Sequence, residues 1–381
     1  MSNDQAAGNF LDATGLAARY PSQTFYLGQV FRHTTNSYKL VWFLSILSLL
    51  KHAGGKYPRV TDVLREMAVI AWPPVCLFRL SLGCKDQLQL IVQNIQQTTG
   101  FSPTESPDAI RRFVQSSPEA QADLAVLNRF VPTRFLAPWF ADDLRNLKDC
   151  VKDRLIKTLV RSRMQNAAPP LYSFGGDPAE ERLEVNDSWR AFLLDNFGLV
   201  QAFAEYHFAL YLQERNPNVP GIVKKLRVPA VRQLTAARDF WQMNRERLDQ
   251  EGRAAEFQDI YTGNQLGGRF AIDHFLPWSF VVHDMLWNLS PVEPSVNSSK
   301  SDILPDFTAY LPRLARLHHR AINIARNRPR FLEDYTDCFR LDASSLLALD
   351  EESLANKYRE VVMPQAQIAI NQGFRSGWRH V

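Results

Sequence analysis

Cysteine is scarce: four in 381 residues, at Cys76, Cys84, Cys150 and Cys338, with no two at ligand or pairing distance in the chain. That spacing excludes a CxxC-type zinc site, so no structural zinc is expected. It also argues against a disulfide-stapled secreted fold and fits a reducing cytoplasm. Long apolar runs are missing too. The longest, Leu40 to Leu50, is too short to cross a bilayer and is flanked by Lys39 and Lys51. The opening MSNDQAAGNFLDATG has no basic stretch leading into an apolar one, so no leader is expected, and no membrane partner. There is no internal repeat and no low-complexity tract. Net charge is only +4, which permits nucleic-acid binding without requiring it. No Ser/His/Asp or Cys/His arrangement for nucleophilic catalysis stands out.

What is present is an ordinary globular composition, 45% hydrophobic and 22% charged, long enough for two or three domains. Its most informative stretch is FQDIYTGNQLGGRFAIDHFLPWSFVVHDMLWNLSPVEPSVNSSKSDILP, residues 257–305. Phe270-Ala271-Ile272 alternates and branches like a strand and ends on the pair Asp273-His274. A second apolar run, Trp287-Asn288-Leu289, follows an aromatic-rich loop. Pro294 then stands where a helix would begin, because proline lacks the NH that a first helical turn leaves orphaned. Two strands and a helix would bring Asp273, His274 and Asn297 towards one point. A carboxylate and an amide oxygen are hard ligands that suit Mg²⁺, and an adjacent imidazole takes a proton from water at neutral pH. That chemistry suits phosphodiester hydrolysis.

At these residues the chain resembles the HNH (ββα-metal) endonucleases, and is similar to the HNH domain of RNA-guided CRISPR effector nucleases. The resemblance rests on Asp273-His274, Asn288-Leu289, Asn297, Lys300-Ser301-Asp302 and Pro305, in that order. It implies His274 as general base, Asp273 and Asn297 as ligands of one Mg²⁺ (or Mn²⁺), and Asn288 as a brace for the loop carrying the histidine. Where many HNH domains place a cysteine before the Tyr-Thr-Gly segment, this chain has Asp259. Asp284 and Asp302 are expected to face solvent or cap backbone, and His274 to stand exposed at its strand end.

The rest of the chain reads as helical. Thr35 or Asn36 would cap an apolar helix, Asp62 a second one ended by Pro73-Pro74, and residues 86–97 a third, amphipathic one. The expected fold is mainly α, with one small ββα module near the C-terminal third. Expected domains are an N-terminal helical domain 1–165, a helical connector 179–256, the nuclease 257–310 and a helical segment 311–381. The boundary falls in the Pro-Pro and Gly-Gly punctuation of 166–178. The body 1–256 resembles that of prokaryotic stand-alone HNH proteins or HNH-fused Cascade subunits, through Thr34 to Lys39 and Asn216 to Pro220.

Cations flank the nuclease stretch: Lys224, Lys225 and Arg232 before it, Lys300 within it, Arg313, Arg316 and Arg320 after it. They are the expected contacts to DNA phosphates, which position a duplex without reading its sequence. His318-His319 is no metal pair, since adjacent residues do not share a helix face. The implied activity is a DNA endonuclease of prokaryotic antiviral defence. Its alternatives are a subunit of an RNA-guided Cascade-type complex, with guide RNA and other subunits as partners, and a non-catalytic DNA-binding module.

Overall fold

The computed structural model describes residues 15–32, 34–52, 57–177, 180–228 and 232–380. The segment read as carrying no leader therefore lies almost wholly outside the described residues. Helices dominate, and the only sheets among the described residues are two antiparallel strand pairs, as a mainly α reading requires. Among the described residues no helix is long and apolar enough to cross a membrane. The chain divides into two compact units, 1–217 with 225–228, and 218–224 with 229–381.

In the first unit, α1 (Tyr38–His52) is the central element. Leu40, Val41, Trp42, Phe43, Ile46 and Leu47 are all buried, the mark of a helix covered on every side. It packs against α2 (Val60–Trp72) and α5 (Phe197–Arg215). Asp62 does not cap α2: the helix starts at Val60, and Asp62 lies in its first turn. Pro73-Pro74 does not end the helical path either, because the chain widens into a π-helical turn, Pro73–Leu77. Asp86 does cap α3 (Gln87–Thr99), accepting from the Leu88 NH. After α4 (Asp149–Arg163), the 166–178 punctuation leads into a hairpin rather than a linker. Strands β1 (Tyr172–Gly175) and β2 (Arg182–Val185) pair antiparallel. Tyr172 is buried, and its hydroxyl accepts from Trp42 Nε1 at 3.0 Å and donates to Pro132 O at 2.7 Å. A side chain so anchored cannot mark a hinge, so the hairpin belongs to the first unit.

The second unit builds a frame for the nuclease stretch. Its helices are α6 (Thr235–Gln250), α8 (Phe307–Ile324) and α9 (Glu351–Asn371), the last two packed together. Between them lie β3 (Ala271–His274), β4 (Leu289–Val292) and the short α7 (Pro294–Lys300). The strands pair antiparallel, with Asp273 opposite Ser290 and His274 opposite Leu289. Strand β4 starts at Leu289, and Leu286–Asn288 forms a 3-10 turn that feeds it. Two hydrogen bonds fix this hairpin to the frame: Trp241 Nε1 of α6 donates to Leu289 O at 3.2 Å, and Tyr358 Oη of α9 donates to Trp287 O at 3.0 Å. The nuclease module thus shares one apolar core with the helices before and after it.

Candidate active site

Helix α7 begins as its sequence suggests, with Pro294 in the first turn, and follows β4 directly. The β3–β4–α7 order places three elements of the expected site side by side. Asp273 and His274 end β3, and Lys300 Nζ at the far end of α7 reaches both: 3.1 Å to Asp273 Oδ1 and 2.7 Å to the His274 carbonyl. Asn297 lies three residues before Lys300, so the two share a helix face. Its side chain is half-buried and makes no hydrogen bond within the described residues.

Asp273 is only 2% exposed, yet both its oxygens have partners. Oδ1 faces Lys300, and Oδ2 accepts from the Tyr261 hydroxyl at 2.7 Å. Burial, and after it the charge of Asp273, holds the Tyr261 phenol well above its ordinary value. Tyr261 therefore remains a donor. The turn that carries it is tied to Asp259, the residue that replaces the frequent cysteine. Asp259 Oδ1 accepts from the Tyr261 NH at 2.7 Å, and Oδ2 from the Glu293 NH at 2.8 Å. A buried carboxylate here joins the Tyr-Thr-Gly turn to the start of α7.

His274 is not exposed as expected; it is buried, with 6% of its surface accessible. Its Nε2 lies 2.8 Å from Asp284 Oδ1. Asp284, expected in solvent or on backbone, is instead the partner of the imidazole, and its other oxygen accepts from the Gln233 NH at 3.0 Å. Burial by itself raises the Asp284 carboxyl. The hydrogen bonds from His274 and the Gln233 NH outweigh burial and hold it below its ordinary value. An ionised carboxylate can only accept, so Nε2 is the donor of this bond, and in the neutral imidazole the lone pair is on Nδ1. Val282, two residues before Asp284, takes φ +52°, an outlier for a β-branched residue. That strain sits where the chain turns to deliver Asp284. Asn288 is fully buried; its Oδ1 accepts from the Leu276 NH at 2.8 Å and its Nδ2 donates to Leu276 O at 3.0 Å. The bonds clamp the chain two residues beyond His274.

The expected DNA-contacting cations part into groups. Lys300 is 0% exposed and held by Asp273, so it reaches no phosphate. Lys225, in the first unit, is buried, and burial draws its ammonium down to about 7. Arg313 Nη1 donates to the carbonyls of Ile260 and Tyr261. Arg316 pairs with Glu351 at 2.8 Å and Arg320 with Glu256 at 3.4 Å. Lys224 and Arg232 are exposed, and their charges act on the site, that of Lys224 lowering the His283 imidazole and that of Arg232 the Asp284 carboxyl. Arg232 also rests its guanidinium over the Trp278 ring at 5.0 Å. His318, fully buried, bonds Tyr335 Oη through Nδ1 at 2.7 Å, and His319 bonds the Leu349 carbonyl at 3.0 Å.

A β-hairpin followed by a helix, with an Asp-His pair ending the first strand, is the arrangement of a ββα-metal nuclease. Residues 259–306 match the HNH endonuclease family. No curated protein and no solved structure matches the chain. The match to the HNH family supports nuclease chemistry in general, with nucleic acid as substrate.

Tyr261, Asp259 and Asp284 are the residues that the sequence pattern left out. Asp284 carried one usable signal, as the only carboxylate between His274 and Asn288. Replacing it by asparagine is expected to slow cleavage about 10–100-fold, the worth of a hydrogen bond to a charged group. An amide can offer its NH₂ to Nε2 and stabilise the wrong tautomer. Single-turnover rates of Asp284→Asn, with melting curves in parallel, check this.

Proposed function

We propose that this chain is a divalent-metal-dependent DNA endonuclease in which His274 activates the attacking water. The observation that carries the reading is the His274–Asp284 pair at the end of β3, next to a carboxylate and one turn of α7 from an uncommitted amide. The residues fit a hard cation. Asp273 and Asn297 offer oxygen donors of the kind Mg²⁺ prefers, and each carboxylate oxygen of Asp273 has a second acceptor site beyond the bond it makes. No group of three or more His, Cys, Asp or Glu side chains converges among the described residues. Asp273 and Asn297 would be the protein's ligands, with water and substrate phosphate completing the shell. When bound, Mg²⁺ supplies charge neutralisation at the phosphate and the leaving oxygen.

The chain's own residues do the remaining work. Asp284 fixes the imidazole ring and its tautomer, so Nδ1 of His274 accepts the proton of the attacking water. Asn288 and Lys300 hold the two ends of the strand-to-loop corner on which His274 sits. Lys224 and Arg232 meet backbone phosphates near the imidazole. Changing both to glutamine is expected to lower the slope of log affinity against log salt by about 2, since each phosphate contact contributes about 0.9 on duplex DNA. The same change at Arg316 and Arg320 should leave the slope where it is, because those cations answer Glu351 and Glu256. Fluorescence anisotropy across a salt series separates the two pairs.

The setting we infer is prokaryotic antiviral defence, by likeness to the HNH domains of RNA-guided nucleases. Purified chain incubated with plasmid is the test. Cutting in Mg²⁺ or Mn²⁺ that stops in EDTA supports a metal-dependent nuclease acting alone. Cutting that appears only with guide RNA and further Cascade-type subunits would make the chain a component of such a complex. Undiminished cutting in EDTA would overturn the metal.

A further inference from the structure

The segment Arg375–His380 follows α9 and returns to the nuclease. It runs beside Leu304, Pro305 and Asp306, the residues that follow α7. Leu304 N donates to Arg375 O at 2.9 Å, Trp378 N to Leu304 O at 3.0 Å, and Asp306 N to Trp378 O at 2.9 Å. Arg379 pairs with Asp306 at 2.7 Å, and the His380 NH donates to Tyr310 Oη at 3.0 Å. Gly377, at φ +80°, turns the chain just before Trp378. Within this segment Trp378 is the one side chain that is partly buried; the others are exposed. What it touches is specific. Its ring meets that of Tyr261 edge-on, 5.1 Å between centroids and 87° between planes. Tyr310 holds another side of Tyr261 at 5.0 Å, and the Tyr261 hydroxyl donates to Asp273 Oδ2.

We propose that Trp378 is a positioning residue for cleavage: it holds the Tyr261 ring, and through that ring's hydroxyl it fixes the Asp273 carboxylate. The proposal rests on the nuclease reading above. A phenol bonded to one carboxylate oxygen, with Lys300 on the other, leaves that carboxylate a single orientation. Edge-on aromatic packing is a weak, directional contact, enough to set a ring but little of the fold. Next to Tyr261 opens a polar cleft of about 450 Å³, lined by Thr262, Asn264, Arg313 and His380 among others. Without Trp378 the phenol has room to swing, and Asp273 loses its second restraint.

The test compares Trp378→Ala, Tyr261→Phe, the double variant and Trp378→Phe. Two readouts are taken: kcat and KM on duplex DNA, and Mn²⁺ affinity without DNA, read from the EPR signal of the free ion. Trp378→Ala and Tyr261→Phe are each expected to lower kcat about 10–100-fold at unchanged KM, the usual cost of a small misplacement. The double variant should fall no further than Tyr261→Phe within about twofold, since coupled residues are not additive. Mn²⁺ affinity should follow the same order, and Trp378→Phe should recover most of both. Wild-type kcat in Trp378→Ala, or losses that multiply in the double variant, would overturn the proposal. If Trp378→Ala does not fold, Trp378→Leu replaces it, and unfolding of both would assign Trp378 to the fold instead. An inactive wild type, or an active Asp273→Ala, would overturn the nuclease reading itself.

Discussion

His274→Ala is expected to lower the rate of DNA cleavage by about 10²–10⁴-fold, the range of general acid–base catalysis by a placed side chain. Duplex affinity should persist. Asp284 binds Nε2 at 2.8 Å and leaves Nδ1 as the proton acceptor, so removing the ring removes the base while the phosphate-facing cations remain. The substitution is not free of structural cost. His274 is buried, and its loss strands a carboxylate held, among the described residues, by one further donor, the Gln233 NH. A hydrogen bond to a charged group is worth about 1.5–3 kcal/mol, so some stability goes with it. His274→Gln controls for this, because its amide offers Asp284 a donor but provides no base. Equal inactivity in both variants, with a higher melting temperature in His274→Gln, is the outcome expected. Near wild-type rates in either would remove His274 from the chemistry.

Lys300→Met is expected to destabilise the second unit by about 3–5 kcal/mol, the cost of removing one partner of a buried ion pair. The ammonium lies 3.1 Å from Asp273 Oδ1 and 2.7 Å from the His274 carbonyl, and the lysine is 0% exposed. Methionine fills the space and leaves a buried carboxylate with only the Tyr261 hydroxyl and a strand-end carbonyl without its donor. Urea denaturation of wild type and variant measures the difference. The salt dependence of DNA binding should not change, which separates this lysine from Lys224. A loss below about 1 kcal/mol, as exposed pairs give, would mean the ammonium is not buried against Asp273.

How far the site could be read from sequence is seen in these two residues. The strand–strand–helix order was legible because each piece carries a local signal: alternation into Asp273-His274, an apolar run at Leu289, proline at the start of α7. Lys300 misleads because it follows Ser298-Ser299 in a polar run that reads as surface. Yet Val296 and Lys300 stand four apart, one face of the helix, and both are buried. That spacing was the available clue. Tyr261 was not legible, and Asp284 only as the lone carboxylate between His274 and Asn288, since partner choice depends on how the 275–288 loop and the 257–266 turn fold back.

The helical frame shows the same division. The burial of α1 follows from an apolar stretch with no polar face. Proline and glycine mark any reversal of the chain, and the punctuation read at 166–178 falls around β1 of the hairpin anchored by Tyr172. The basic face of α8 carries ion pairs that the sequence does not show. The acids that answer Arg316 and Arg320 are Glu351 and Glu256, far along the chain in either direction. Charge in a helix can be counted from sequence, whereas its neutralisation by distant residues cannot.

In the proposed reaction, water deprotonated by His274 attacks the phosphorus and expels the 3′ oxygen. Single-turnover cleavage of a defined duplex in ¹⁸O-enriched water, followed by mass spectrometry of the new ends, tests it directly. One solvent oxygen in a 5′-phosphate, opposite a 3′-hydroxyl that ligase can rejoin, is the result the account predicts. Solvent oxygen in a 3′-phosphate, or ends carrying none, would contradict it.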